Sequence, residues 1–239
     1  MVTLVKLASL PVQLQKIVSD FFFPRRCVGC GKTGDFLCAS CLRRLPWLMP
    51  PICRKCGKPE SSGDLCPSCW GSQTVIDGVR APFRFDGIIR QAIHELKYRN
   101  LKAICGCLSE LMAAYLLDKP VPGEVLVPVP HHPRRLRERG YNQSGLLARG
   151  LGRLASLPVI EDSLYRVKDS LPQARTSTVE DRRRNVIDAF ACQNQKLNDM
   201  HVLLIDDVCT SGATLEACAV ALKAAGVVSV WGLTLAREI

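Results

Sequence analysis

The chain has 239 residues, 32 Lys+Arg against 22 Asp+Glu for a formal charge of +10, and 13 cysteines. That length buries a sizeable core, as one large domain or a small and a medium one, and 47% apolar with 23% charged residues excludes wholesale disorder. Apolar runs such as 111–117 fall far short of the roughly 20 residues that cross a bilayer, and polar Gln13, Gln15 and Lys16 interrupt the first apolar stretch, against a secretory signal.

A reducing, cytoplasmic setting is therefore expected, in which cysteines serve as metal ligands and core thiols rather than disulfides. Residues 1–72 carry a net charge of +6 and eight of the cysteines, and 73–239 carry +4. This shift, with the break at Trp70-Gly71-Ser72, predicts a domain boundary near residue 72. Residues 1–23 show apolar side chains at helical spacing (Leu7, Leu10, Leu14, Ile17, Val18), interrupted by Pro11. They read as an N-terminal apolar helix that covers the neighbouring domain, with peripheral membrane contact as the weaker alternative.

Residues 24–72 hold four C-x-x-C knuckles: Cys27/Cys30, Cys38/Cys41, Cys53/Cys56 and Cys66/Cys69. Each knuckle points two thiolates at one tetrahedral metal, and two knuckles complete a four-cysteine site. Eight ligands supply two structural Zn2+ ions, with no coordination position open for catalysis. The knuckles pair consecutively, as two zinc ribbons, or cross-braced, first with third. Arg25, Arg26, Arg43, Arg44, Arg54, Lys55 and Lys58 surround them, and Trp47 and Trp70 offer flat faces. Basic and aromatic side chains together suit single-stranded nucleic acid.

From Thr74 strands alternate with helices, the pattern of an α/β domain with a largely parallel sheet. The expected elements are an extended hairpin over 75–84, helices near 88–96 and 101–117, a strand at 125–129 and a helix at 143–154. A buried strand at 202–205, a helix at 213–225 and a strand at 228–235 complete the set. The segment Ile205-Asp206-Asp207-Val208-Cys209-Thr210-Ser211-Gly212-Ala213-Thr214 places two carboxylates at a strand end, then a hydroxyl-rich loop opening a helix. Backbone N–H groups of such a loop bind phosphate, and the carboxylates accept hydrogen bonds from vicinal hydroxyls. A ribose 5-phosphate fits both. After the strand at 125–129 comes a basic turn holding Arg134, Arg135, Arg137 and Arg139, whose guanidinium groups suit pyrophosphate. Cys105, Cys107, Cys192 and Cys218 read as small core residues. Cys209 is a candidate for activation by the adjacent helix N-terminus.

The 202–214 segment resembles the PRPP signature of type I phosphoribosyltransferases. Three further stretches resemble the ComF/GntX family of bacterial phosphoribosyltransferase-like proteins: Phe23-Pro24-x-x-Cys27-x-x-Cys30-Gly31, His94-x-Leu96-Lys97-Tyr98 and Arg137-x-Arg139-Gly140-Tyr141-Asn142-Gln143-Ser144. So does Arg182-Arg183-Arg184-Asn185-Val186. The resemblance runs from about residue 20 to the end. It implies a type I phosphoribosyltransferase-like domain over 73–239 behind a double zinc ribbon, and handling of single-stranded DNA in natural competence. It further implies a place at the inner face of the inner membrane, among competence or DNA-processing proteins. Carried over, Asp206 and Asp207 hold the PRPP ribose, and Thr210, Ser211, Gly212, Ala213 and Thr214 its 5-phosphate. His131, His132, Arg134 and Arg135 form the pyrophosphate loop, and Gln173 and Arg182 belong to a mobile loop. Mg2+ accompanies PRPP, because hard cations prefer such oxygens. DNA contacts are expected at Arg43, Arg44, Arg137, Arg139 and Asn142. Whether the chain is a transferase, and on which acceptor, the resemblance leaves open. A PRPP-sensing binding module is a third reading.

Two Zn2+ ions with eight thiolates bring the formal charge to about +6, and that of the first 72 residues to about +2. The densest positive stretch is then 134–153, six arginines against Glu138.

Overall fold

The computed structural model describes residues 24–167, 189–193 and 195–239. The expected N-terminal helix, and Gln173 and Arg182 of the expected mobile loop, lie outside the described residues. The chain forms two compact units, Met1–Arg44 and Leu45–Ile239.

The first unit holds the first two knuckles. The Cys27 carbonyl accepts from the Gly31 amide at 2.7 Å, with Gly31 at φ 74°, a left-handed turn that favours glycine. A one-turn helix, α1 (Ala39–Leu42), buries Cys41. Besides ligand cysteines, Leu37 is the buried apolar side chain of the described residues here. A core that small needs a staple.

The second unit begins with the other two knuckles and continues into the sheet. Strand β1 (Gly78–Arg80) and strand β2 (Phe83–Arg84) precede helix α2 (Gly87–Tyr98) and helix α3 (Cys105–Asp118). Strand β3 (Val125–Pro128) leads to helix α4 (Pro133–Arg139) and helix α5 (Gln143–Ala155). Strands β4 (Leu164–Arg166) and β5 (Phe190–Cys192) form a separate antiparallel pair. Strand β6 (His201–Cys209), helix α6 (Ala213–Ala224) and strand β7 (Ser229–Arg237) close the chain.

The main sheet has the order β1-β7-β6-β3, with β2 also on β7, and every pairing is parallel. Parallel sheets are covered on both faces, which is why Val202, Leu203, Leu204 and Ile205 are all fully buried. One face packs on α5, which packs on α3 in turn. The close approach of those helices requires Gly150, because a Cβ there would lie 2.1 Å from Ser109 Oγ. The other face, with Val127, Val202, Leu204 and Val230, packs on Leu215, Cys218 and Leu222 of α6.

Two expectations change. The segment 75–84 is not a hairpin: β1 and β2 run one after the other, both parallel to β7, from Gly78 opposite Trp231 to Arg84 opposite Arg237. The basic turn is a helix, α4, with Pro133 in its first turn, His132 capping the Arg134 amide at 3.0 Å, and Gly140 left-handed at its end. Pro there costs no hydrogen bond, and the Arg134–Glu138 pair supports the helix.

The second ribbon is built into the sheet edge. The Lys55 carbonyl accepts from the Val79 amide at 2.7 Å, and the Arg54 carbonyl from Arg80 Nη2 at 2.7 Å. Trp47 lies on fully buried Phe83 with ring centroids 4.5 Å apart. Among the described residues no helix is long and apolar enough to cross a membrane.

Candidate functional site

The eight knuckle cysteines form two sites, Cys27/Cys30/Cys38/Cys41 and Cys53/Cys56/Cys66/Cys69, with all ligand sulfurs of a site within 4.8 Å of one another. The pairing is therefore consecutive, not cross-braced. The sulfurs of Cys30 and Cys38 are 3.6 Å apart, as are those of Cys56 and Cys66. A tetrahedron with Zn–S of about 2.3 Å has an edge of about 3.8 Å, so the sites fit zinc, and no disulfide is formed. Backbone amides point at the thiolates: Cys38 at Cys27 Sγ, 3.4 Å, and Cys66 at Cys53 Sγ, 3.4 Å. Arg43 and Arg44 are exposed, just after the first site.

The second constellation stands at the carboxyl end of β6, where open parallel sheets bind ligands. The strand is longer than its apolar run predicts. Pairing with β7 continues to Cys209 opposite Arg237, so Asp206 and Asp207 are strand residues. Their side chains alternate across the sheet and meet different partners. Ser144 Oγ, at the start of α5, donates to Asp206 Oδ1 at 2.8 Å, and the Asp207 amide donates to the same oxygen at 2.9 Å. Lys97 Nζ lies 2.7 Å from Asp207 Oδ1. Burial, and then the charge of Asp207, push the Asp206 carboxyl up to about 7.

Lys97 reaches this place because α2 lies over the strand ends. Its face of Ile89, Ala92, Ile93 and Leu96 is buried, and Asp86 caps its start through the Gly87 amide at 2.7 Å. The Tyr141 hydroxyl donates to the Leu96 carbonyl at its end. A cavity of about 360 Å³ results, lined by Lys97, His131, Arg135, Asp206, Asp207 and Thr214 among others. Asp207 Oδ2 is buried here without a hydrogen-bond partner, and such atoms call for an explanation, a bound ion among them.

Beyond the pair, the chain turns at Gly212, φ 85°, into α6. The exposed residues Thr210, Ser211, Ala213 and Thr214 flank it. Amides of a helix's first turn lack intrahelical acceptors and attract anions. The first-turn acid, Glu216, is turned aside to accept from the amides of Val75, 2.7 Å, and Ile76, 3.1 Å.

Of the α4 arginines, Arg135 and Arg139 line the cavity. Arg134 pairs with Glu138 at 2.8 Å, and Arg137 is exposed. His131 shares a hydrogen bond with Gln143 Oε1, and burial holds its pKa below the usual imidazole value. Asn142 uses both ends of its amide internally: it caps Ser144 N at 3.0 Å and donates to the Val129 carbonyl at 3.0 Å. Cys209 is buried rather than open to reagents. Burial raises its thiol pKa although Arg237 Nη1 lies 2.7 Å from the sulfur. Lys97, Tyr98 and Ser144 are site residues that motif reading did not assign. Their signal was their place in the ComF-like stretches 94–98 and 137–144.

A double zinc ribbon domain family matches residues 18–76. Among solved structures, glutamine PRPP amidotransferase from B. subtilis is similar at 17% identity and a TM-score of 0.39, over 55% of this chain and 26% of that longer one. A purine phosphoribosyltransferase from Pyrococcus horikoshii is similar at 18% identity and a TM-score of 0.35, over 55% of this chain and 71% of that one. The DNA utilization protein YhgH of Escherichia coli K12 is 28% identical over 76% of this chain and 83% of its own length. Competence protein ComFC of Bacillus subtilis is 28% identical over 87% of this chain and 86% of its own length. Competence protein F of Haemophilus influenzae is 30% identical over 90% of this chain and 99% of its own length. With that agreement running through ribbons and sheet alike, the chain belongs to the competence protein F (ComF) family.

Proposed function

We propose that the chain handles single-stranded DNA in natural competence and binds Mg2+-PRPP in the cavity at the end of β6. The observation that carries the nucleotide part is the pair Asp206–Asp207, which lines a cavity together with Thr214 of the 210–214 loop, with Asp207 Oδ2 buried and without a hydrogen-bond partner. Carboxylate oxygens, an anion-binding helix start and the cations Arg135 and Lys97 match the parts of PRPP. The donor set also fits a hard cation, and bound Mg2+ would neutralise charge on the pyrophosphate.

In this reading Asp206 and Asp207 orient the ribose hydroxyls and stabilise positive charge developing on the sugar. Ser144 and Lys97 hold the two carboxylates in place, and Thr210, Ser211 and Thr214 take the 5-phosphate. Arg135 and Arg139, with His131, face the pyrophosphate. Intact carboxylates keep a second reading open, a transferase acting on a nucleobase-like acceptor. Incubation with Mg2+-PRPP and a panel of acceptors, watched for pyrophosphate release, separates it from a PRPP-sensing module. The DNA part rests on the relatives' names and on the surplus of cations. Labelled single strands are expected to bind with an affinity that falls as salt rises, by a log–log slope of about 0.7 per phosphate contacted. No binding at low salt contradicts that part. We place this work in the cytoplasm, at the inner face of the inner membrane.

A further inference from the structure

Helix α2 does more than deliver Lys97. Its outer line, Arg90, His94 and Tyr98, repeats every fourth residue and stays exposed, with Tyr98 65% accessible. Beside it lies a groove of about 460 Å³ whose lining includes Phe85, Arg90, Ile93, His94, Lys97 and Tyr98. The rings of His94 and Tyr98 have centroids 4.9 Å apart, the Arg90 guanidinium lies 5.9 Å from the Phe85 ring, and that of Arg139 lies 5.1 Å from the Tyr98 ring. Among the described residues no carboxylate lines the groove, and the adjacent Asp86 is spent on capping the helix. Lys97 and Tyr98 also line the cavity at the end of β6, so the groove and the cavity lie side by side on these two residues.

Flat rings beside guanidinium groups, without acids, form the chemistry that holds nucleobases by stacking and phosphates by charge. Arg90 and Tyr98 are about 12 Å apart along the helix, longer than one base, and cations stand at both ends of the line. A free base needs no such extension.

We propose that this groove seats a base of a single strand against His94 and Tyr98, with the flanking phosphates on Arg90 and Arg139, next to the phosphoribosyl cavity. The proposal rests on the reading of the chain as a single-strand binder and assigns that role to α2, where neither the ribbons nor the motifs placed it.

The test is fluorescence anisotropy of a labelled oligothymidylate with the full, zinc-loaded chain and its Arg90→Ala, His94→Ala and doubly substituted variants. Both positions are exposed, so the fold survives. The double variant is expected to bind about ten-fold more weakly or worse, since one stacked base contributes about 1–3 kcal/mol. Its log–log salt slope is expected to fall by about 0.7, with PRPP affinity by calorimetry within two-fold of wild type. A 5-iododeoxyuridine strand is expected to photocrosslink within 85–98, as mapped by mass spectrometry. Wild-type binding that the double variant keeps, or crosslinks confined to other segments, overturns this inference and leaves the functional reading standing. No binding by wild type overturns both. Saturation of the groove by free adenine or guanine, without competition from the strand, assigns it to a free base and overturns the strand.

Discussion

Replacing Lys97 with methionine removes the cation facing Asp207 and keeps most of the stem that packs beside it. The pair is 2.7 Å apart with side-chain exposures of 21% and 5%. At an effective dielectric of about 20 the gross attraction is about 6 kcal/mol. Breaking a buried pair from one side costs about 3–5 kcal/mol, because the remaining charge is stranded, and partial access of water to Lys97 places this pair near the low end. Lys97→Met is therefore expected to lose about 3 kcal/mol in urea unfolding at pH 7. Adding Asp207→Asn is expected to return most of it, since the double variant leaves no charge unpaired. A loss below about 0.5 kcal/mol, or a double variant no more stable than Lys97→Met alone, would refute the reasoning.

Three other outcomes follow from the geometry. Asp206, raised to about 7, binds its proton in the fold where the unfolded chain has already lost it, so stability without ligand falls as pH rises from about 4 to about 7. Melting temperatures across that range are expected to show the fall, and Asp206→Asn to flatten it. Cys56→Ser is expected to destabilise the Leu45–Ile239 unit by about 3 kcal/mol or more, on the order of 10 °C in melting, because the second ribbon pairs with β1. Cys30→Ser, in the other unit, is expected to leave that transition in place, and zinc content reads the loading of each. Gly150→Ala would force a Cβ to 2.1 Å from Ser109 Oγ and is expected to cost about 1–3 kcal/mol in urea unfolding.

The metal centres were legible to the ligand, because C-x-x-C spacing constrains geometry locally. Their consecutive pairing was suggested by the repeated spacing but left open against a cross-brace, since it depends on how the loops fold. The helices at 87–98, 143–155 and 213–224 announced themselves by apolar period, and the strand at 202–205 by its run of four apolar residues. The extension of β6 to Cys209 was hidden, because two aspartates look like a strand's end until β7 is seen pairing alongside. Segment 75–84 misled for the same reason. Alternation marks extended chain but carries nothing about whether its partner is the next segment or one 150 residues away. Helix α4 was masked by its own charge: four arginines read as a pyrophosphate-binding turn, although Pro133 and Gly140 mark the start and stop of a helix. The acidic pair could be found from sequence, but not its partners. Lys97 and Ser144 reach Asp207 and Asp206 from separate helices, and only the packing of α2 and α5 over the strand end brings them there.

The central claim is that the end of β6 is a Mg2+-PRPP site, and titration calorimetry of PRPP with Mg2+ into the zinc-loaded chain tests it most directly. Binding is predicted for the wild type, stronger above pH 7 than below, where Asp206 must first give up its proton. Asp206→Asn with Asp207→Asn is predicted to weaken it by about ten-fold or more, the loss of charge-assisted hydrogen bonds of about 1.5–3 kcal/mol each. Equal affinity in wild type and double variant, or no heat from either, would contradict the account.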